Sequence, residues 1–494
     1  MDDDTDNHPE AHEAHDHAVV LGAGLAGLLA ARALAQRFAR VTVVERDELA
    51  DTGPAFRPGV PQSRHVHVLW SRGLEVMEGL LPGVTRELLA AGAALMESPR
   101  DFLWLSPADW FHSVPGSRIL VGSRELIDWT VRREVLRDER IRIRSGSAAT
   151  GLVAGADGRS VTGVRLREGG PLTARFVVDA TGRTSRAPAW LAALGHPAPA
   201  TTRYDSHLGY SSRYYEIPPD PARRWQGMYV QGRPDSPRGG VLVPLDDGRW
   251  LATLIGNGEH APPTGDEEFL DYTRTLRTPA LHDVLRDAKP LSSPTGFRST
   301  ANERRHYERL DRWPAGFLVL GDAACRFNPV YGHGMTVAAL AADALAGAIR
   351  GLAPREIAAA ARRIQRRTAA AIRGLAPREI AAAARRIQRR TAAAADVAWQ
   401  IATSEDMRYP GTEGPPPDQA TRVLQAYMAR VIVGANADPE ISRPFFGVLS
   451  LSASPNTLLS PGTVIRVLSK WRLPTVPETA AYPPHHHAPP DSGP

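Results

Sequence analysis

A glycine-rich turn between two apolar runs constrains this chain more than any other feature. From Ala18 to Asp47 the sequence reads AVVLGAGLAGLLAARALAQRFARVTVVERD, which predicts a strand, a turn, an alanine-rich helix and a second strand ending in an acid. Gly22, Gly24 and Gly27 have the spacing that permits a tight turn and brings a pyrophosphate to the helix N-terminus. Glu45 follows where a carboxylate can accept hydrogen bonds from a ribose. The segment therefore predicts a parallel β-α-β unit that binds an adenine dinucleotide.

A second motif far downstream favours FAD over NAD. The segment 321–335 reads GDAACRFNPVYGHGM and precedes an apolar helix. Asp322 is placed to hold a ribityl hydroxyl. The glycine-rich turn that opens the helix offers backbone N–H groups and the positive end of a helix dipole, which suit negative charge on a reduced flavin.

The order of predicted elements indicates an α/β (α+β) fold: a Rossmann-like FAD-binding domain of the glutathione-reductase type, an inserted antiparallel β-sheet substrate domain and a helical C-terminal region. We expect the domains to be discontinuous, with these boundaries: 1–17 disordered tail; 18–56, 120–200 and 300–348 FAD-binding domain; 57–119 and 201–299 substrate domain; 349–394 tandem helical repeat; 395–475 C-terminal helical region; 476–494 disordered tail.

Charge and cysteine content exclude several classes of protein. Residues 349–371 recur unchanged at 372–394, and each copy carries six Arg and one Glu, so one copy accounts for the whole net charge of +5. The basic character is therefore local, and we expect no nucleic-acid partner. The repeat itself is interpreted as a recent tandem duplication or a sequence-assembly artefact, because two units are too few for a solenoid.

The single cysteine, Cys325, fits a reducing cytoplasm, and no apolar run is long enough for a transmembrane segment.

Several blocks give the chain a family resemblance. The blocks are AVVLGAGLAG, VTVVERD, RPGVPQSRHVHVLW, LLPG, SRELIDWTVR, VVDATGRTS, DGRWLATL, RSTANERRHYERL and LGDAACRFNPVYGHGM. The chain resembles the FAD-dependent monooxygenases of the p-hydroxybenzoate hydroxylase superfamily, and within it the polyether-pathway epoxidases of the lasalocid and monensin epoxidase type. The resemblance covers roughly residues 18–350 and resumes near 380–412, and the extra copy of the repeat departs from it.

The resemblance and the motifs together assign candidate site residues. Cofactor-binding roles are expected for Gly22, Gly24, Gly27, Glu45, Arg46, Arg64, Arg124, Gly321, Asp322, Pro329, Gly332, His333, Gly334 and Met335. Aromatic residues expected in the substrate pocket are Trp70, Trp110, Phe111, Phe327 and Tyr331, with Trp104 as a further candidate. Arg64, His65 and His67 are expected to approach the flavin ring from the opposite side. No metal site is predicted, since the histidines lack accompanying carboxylates or thiolates.

The function implied is oxygen transfer from a C4a-hydroperoxyflavin to an alkene of a polyketide or terpenoid intermediate, which makes the chain a predicted epoxidase of natural product and antibiotic biosynthesis. An alkene attacks this oxygen donor without a protein nucleophile or base, so no obligatory catalytic residue is assigned. The alternatives are an aromatic hydroxylase, a prenyl-chain reductase and a non-enzymatic flavin- or ligand-binding protein. The expected cofactors are FAD, O2 as co-substrate, and NADPH, NADH or a separate flavin reductase as the electron source. A flavin halogenase is disfavoured because it needs a pocket lysine in its N-terminal half, and Lys289 and Lys470, the two lysines, lie in the C-terminal half.

Overall fold

The structure is a computed structural model that describes residues 16–112, 114, 116–221, 223–350, 388–389 and 392–469. The strands are β1 His17–Leu21, β2 Arg40–Val44, β3 Val68–Trp70, β4 Ala94–Ser98, β5 Phe102–Leu105, β6 Ser117–Val121, β7 Ile141–Arg144, β8 Ala149–Ala154, β9 Val161–Leu166, β10 Pro171–Thr173, β11 Phe176–Asp179, β12 Thr201–Tyr204, β13 Leu208–Glu216, β14 Gly227–Val230, β15 Gly239–Pro244, β16 Trp250–Asn257, β17 Lys289–Pro290, β18 Thr295–Phe297, β19 Asn302–Arg305, β20 Phe317–Val319 and β21 Cys325–Arg326. The α-helices are α1 Leu25–Leu34, α2 Ser71–Leu80, α3 Val84–Ala90, α4 Arg124–Val135, α5 Ala187–Ala193, α6 Asp266–Thr273, α7 Ala280–Leu285, α8 Gly334–Ile349, α9 Asp396–Asp406, α10 Gln419–Ala435, α11 Pro439–Leu449 and α12 Pro461–Ser469.

A five-stranded parallel sheet forms the centre of the nucleotide-binding part. Its strand order is β20-β11-β1-β2-β7, so it gathers strands from widely separated stretches of the chain. The strands β1 and β11 are buried along their whole length, which explains their continuous apolar sequences. The parallel β1-α1-β2 unit confirms the Rossmann-like prediction. Strand β1 begins at His17, the last residue of the predicted N-terminal tail.

The seven-stranded second sheet forms one wall of a chamber. Its order is β17-β13-β16-β15-β14-β5, with β18 also paired to β13, and every pair is antiparallel except β14 with β5. Successive side chains of β5 point to opposite faces. Phe102 and Trp104 join the cluster that faces the C-terminal helices, whereas Leu103 and Leu105 join the core beneath the sheet.

The C-terminal helices close this chamber from the other side. Phe445 and Phe446 of α11 pack against Phe111, with ring centroids 5.7 and 5.0 Å apart. Phe446 also contacts Trp104 edge to face at 6.0 Å. The Rossmann-like domain, the inserted β-sheet and the helical C-terminal region together confirm the predicted fold class. Within the described residues, none of the helices has the length and apolarity that crossing a bilayer requires.

Four predicted segments lie partly or wholly outside the described residues: most of the tail 1–17, most of the repeat at 349–394, the last six residues of the C-terminal helical region 395–475, and the whole tail 476–494. Residues 388–389 and 392–394 of the second repeat copy are described, and among them Gln388 is buried. Its side-chain amide bonds both backbone groups of Val319, with the Val319 N–H donating to Oε1 at 3.3 Å and Nε2 donating to the carbonyl at 3.2 Å. Gln388 therefore satisfies the backbone at the outer edge of the parallel sheet.

Candidate flavin and substrate site

The glycine turn is built by close backbone approach. Gly22 has φ +94°, and a Cβ there would meet the Ala180 carbonyl oxygen at 2.6 Å. A Cβ on Gly27 would meet the Gly22 carbonyl oxygen at 1.9 Å, so Gly27 lets α1 pack against the turn instead of facing a ligand. Gly24 is different, because the nearest neighbour to its Cβ position is the Arg57 guanidinium at 3.9 Å. Open space thus remains at the start of α1, where unpaired N–H groups attract a phosphate.

Glu45 is held at the end of β2 by three donors. Its carboxylate accepts hydrogen bonds from the Ala23 N–H at 2.6 Å and the Asp47 N–H at 3.0 Å. The Arg57 guanidinium donates to it at 3.3 Å and to the Ala23 carbonyl at 3.1 Å. These contacts fix the carboxylate next to the glycine turn, where it lines the cavity.

Arg57 and Arg124 form a cationic pair around one carboxylate. Arg124 is the first residue of α4 and donates through Nε to Asp128 at 2.8 Å, and Arg57 donates to the same side chain at 3.3 Å. Both arginines line the cavity and are largely buried. The sequence predicted Arg124 but not Arg57, although Arg57 opens the RPGVPQSRHVHVLW block.

Arg64, the arginine selected from that block, lies elsewhere. Its guanidinium stacks on the ring of the exposed Phe56 at 4.4 Å, and it does not line the cavity. His65 and His67, by contrast, do line it. Burial, reinforced by the nearby Arg124, lowers the pKa of His67 to about 3. Since His67 Nδ1 donates to the His65 carbonyl at 2.8 Å, the neutral ring carries its lone pair on Nε2.

The second motif lies beside the first. Gly321 has φ +60°, and a Cβ there would meet Ala26 at 2.8 Å, so the motif packs directly on α1. Asp322 lies deep within the fold, and its side chain is exposed to the cavity that it lines. Burial raises the pKa of its carboxyl, while Arg124, Arg183 and Arg326 lower it. Among the described residues Asp322 has no hydrogen-bond partner, which leaves its oxygens for a ligand hydroxyl.

The loop that follows presents backbone to the cavity. Gly332 has φ +66° and its Cβ position is 2.6 Å from Val68, whereas nothing lies within 4 Å of the Cβ position of Gly334, where α8 begins. Gly332, Gly334 and Met335 line the cavity together with Pro329. His333 instead points away: burial lowers its pKa to about 4, and Nε2 donates to the Leu449 carbonyl at 2.9 Å. His333 thus ties the loop to α11.

A buried carboxylate that the sequence analysis missed anchors the same loop. Asp406, the last residue of α9, accepts hydrogen bonds from the Tyr331 hydroxyl at 2.6 Å and from the side-chain amides of Asn302 at 2.6 Å and Asn328 at 3.1 Å. Burial raises the pKa of Asp406 to about 6. The Tyr331 ring lines the cavity while its hydroxyl is bound to Asp406. No motif in the sequence marks Asp406, because its partners are 75 to 104 residues away.

The cleft and the chamber are one continuous cavity of about 1150 Å³. Of the predicted cofactor residues, those lining it are Gly22, Gly24, Glu45, Arg46, Arg124, Gly321, Asp322, Pro329, Gly332, Gly334 and Met335. Of the predicted aromatic residues, those lining it are Trp70, Trp104, Phe111, Phe327 and Tyr331. Trp110 does not: it bridges Leu105 and packs in the core beneath the sheet, because adjacent residues of an extended segment face opposite ways.

Comparison with known proteins identifies the family. Residues 16–374, more than half of the chain, match the family described as FAD binding domain. The chain belongs to this family. Membership confirms the prediction of FAD binding and of a flavin-dependent enzyme of the monooxygenase and hydroxylase class.

Three similar proteins extend this finding. Protein Rv3254 of Mycobacterium tuberculosis is 33% identical over 353 residues, which are 68% of this chain and 73% of that protein. The flavin-dependent brominase Bmp2 superposes with a TM-score of 0.60 at 13% identity, covering 92% of this chain and 99% of its own. PqsL of Pseudomonas aeruginosa, solved in complex with 2-aminobenzoylacetate, gives 0.55 at 18% identity and covers 79% of this chain and 97% of its own. At these identities the two structures show a shared fold, which by itself does not select a reaction.

Proposed function

We propose that this chain is an FAD-dependent epoxidase that transfers one oxygen atom of O2 to an alkene of an apolar polyketide or terpenoid molecule. The observation that carries the proposal is the continuity of the nucleotide cleft with a chamber walled by Trp104, Phe111 and Phe445. A ligand in that chamber would meet a flavin bound against the Gly332–Met335 loop, and the aromatic walls exclude water.

The residues present fit FAD along the whole cleft. The open start of α1 at Gly24 suits the pyrophosphate, and Glu45 suits the adenosine ribose. Asp322 suits a ribityl hydroxyl, and Arg57 and Arg124 supply positive charge beside the phosphates. When bound, the flavin would supply the two-electron reduction of O2 and the oxygen-transfer chemistry. The protein binds, orients and keeps water away.

The arrangement of Tyr331 supports oxygen transfer to an alkene. Its hydroxyl is bound to Asp406 behind the cavity wall, and burial raises the pKa of this phenol, so Tyr331 presents only a ring to the ligand. An alkene needs no deprotonation before it attacks an electrophilic oxygen. A wall that contributes shape and dryness is sufficient for this reaction.

A specific observation keeps aromatic hydroxylation as the second candidate. The neutral His67 lines the cavity and carries its lone pair on Nε2, which could accept a proton from a phenol. We expect replacement of His67 by Gln to slow phenol hydroxylation and to leave alkene epoxidation nearly unchanged.

Halogenation is not supported by the placement of lysine. Lys289 is exposed on β17, pairs with Glu216 at 3.1 Å and does not line the cavity, and Lys470 lies outside the described residues. The likeness to a brominase is therefore one of fold. A prenyl-chain reductase and a non-enzymatic binding protein have no observation of their own in their favour.

The test is oxygen insertion measured by mass spectrometry. Flavin-loaded protein is supplied with NADPH, NADH or a separate flavin reductase, under ¹⁸O2, with terpenoid alkenes and with phenols in parallel. We expect one labelled oxygen in the alkene as an epoxide. The Gly334→Leu variant, whose side chain would project into the cavity, is the inactive control. If phenols are labelled while alkenes do not react, the hydroxylase proposal replaces the epoxidase proposal. Reduction of the alkene without incorporation of label would indicate a reductase.

We further propose a cytoplasmic location, in keeping with the lone buried thiol of Cys325.

A further inference from the structure

The chamber wall contains a small polar patch within an apolar surface. Tyr229 lies in β14 and Gln231 directly follows it on the same face, since residues two apart in an extended chain share a face. Both line the cavity beside Trp104, whose ring centroid is 5.4 Å from that of Tyr229. The neighbouring wall residues Phe102 and Val241 are apolar, so the polar groups are concentrated at one place.

The hydrogen-bonding capacity of this patch is not used up by the protein. The Trp104 Nε1 donates to Gln231 Oε1 at 3.0 Å, which orients the amide and leaves its NH2 group without a partner among the described residues. The Tyr229 hydroxyl likewise has no hydrogen bond within the described part of the chain. A ligand that displaces water from this wall has to supply the partner for these polar groups.

A carboxylate on α9 sets the charge that the patch accepts. Glu405 lines the cavity and pairs with Arg408, whose Nη1 lies 3.0 Å from both carboxylate oxygens. The charge of Glu405 acts on the Tyr229 hydroxyl and raises its pKa further after burial. A hydrogen-bond donor on the ligand is thus favoured here, and a second negative charge is disfavoured.

We propose that Tyr229, Gln231 and Glu405 recognise an un-ionised hydroxyl group on an otherwise apolar alkene substrate. A hydroxyl both donates and accepts, so it matches the Gln231 amide and the Tyr229 hydroxyl as donors and the Glu405 carboxylate as an acceptor. The inference rests on the proposed function, because it names the substrate class of the same chamber. The three residues determine specificity and position the ligand.

Binding of three matched probes to the flavin-loaded protein tests this inference. The probes are farnesol, the hydrocarbon farnesene and the acid farnesoic acid, and the readout is the dissociation constant from the change in flavin absorption. We expect farnesol to bind most tightly. Tyr229→Phe should weaken farnesol about 3- to 10-fold, the range for one neutral hydrogen bond, and leave farnesene unchanged. Glu405→Gln should strengthen farnesoic acid, because it removes the negative charge and frees Arg408.

The matched control is Tyr215→Phe, which removes a phenolic hydroxyl from β13 at a buried position outside the cavity. It should leave all three constants unchanged. Equal affinity for the three probes, no binding of any of them, or the same response in both tyrosine variants would overturn the inference. The proposed function is tested separately by ¹⁸O incorporation. Selective farnesol binding without a labelled product would refute the epoxidase proposal and keep the recognition site. A labelled product without selective binding would refute the recognition site and keep the epoxidase proposal.

Discussion

The Asp406 network makes a quantitative prediction about stability and pH. Burial raises the pKa of this carboxyl from the ordinary 3.8 to about 6 in the folded protein. The folded state therefore holds the Asp406 proton at pH values where the unfolded chain has lost it. The stabilising contribution is fully present below about pH 4 and is lost as the pH rises to about 6. A shift of roughly two pKa units corresponds to about 3 kcal/mol at neutral pH.

Asp406→Asn removes this titration without changing the shape of the side chain. The amide of the variant still accepts hydrogen bonds through its one oxygen, but its NH2 group is a donor that faces the donor groups of Asn302, Asn328 and Tyr331. One of these donors therefore loses its hydrogen-bond acceptor, at a cost of about 1–3 kcal/mol. We expect the wild-type protein to be more stable than the variant at pH 4. This advantage should shrink by about 3 kcal/mol by pH 7.

Urea-induced unfolding of the flavin-loaded proteins between pH 4 and pH 7.5, followed by circular dichroism, measures the difference. Asp287→Asn, at an aspartate whose side chain is 79% exposed, is the matched control for the chemical change. A difference between wild type and Asp406→Asn that stays constant with pH would refute the reasoning. It would mean that the three donors stabilise the charged carboxylate enough to cancel the cost of burial.

Three further predictions concern the cofactor cleft and the repeat. Asp322→Ala should weaken FAD by about 1.5–3 kcal/mol, the scale of a hydrogen bond to a charged group, measured by fluorescence titration of the stripped protein; unchanged affinity would mean that the carboxylate does not contact the cofactor. Gly334→Leu should fold normally but lose flavin because its Cβ position is open to the cavity, whereas Gly332→Val should lower the melting temperature because of its positive φ and its contact with Val68; the reverse pattern would contradict the assigned geometry. Gln388→Ala should destabilise the protein more than Gln365→Ala, the same change in the other repeat copy, since Gln388 bonds the edge strand β20; equal melting temperatures would show that this contact is dispensable.

The sequence by itself determined the nucleotide-binding half of the site. Gly22 and Glu45 belong to one strand-turn-helix-strand unit and Asp322 to a second strand-turn-helix motif, so the spacing within each motif is enough to predict that they line the cleft. Strands β1 and β2 were predictable because their sequences are largely continuous apolar runs, whereas β7, which reads IRIR, carries no such run. Family membership then follows from these motifs.

Only the tertiary structure decided which residues complete the site. Arg57 reaches the cleft and Arg64 does not, although both belong to one irregular segment that carries no periodic signal. Phe111 lines the chamber and Trp110 lies beneath the sheet, a choice fixed by how the segment packs on its neighbours. Asp406 acquires its role through contacts across 75 residues or more. These assignments depend on long-range packing, which leaves no local pattern in the sequence and is settled only when the separate layers come together.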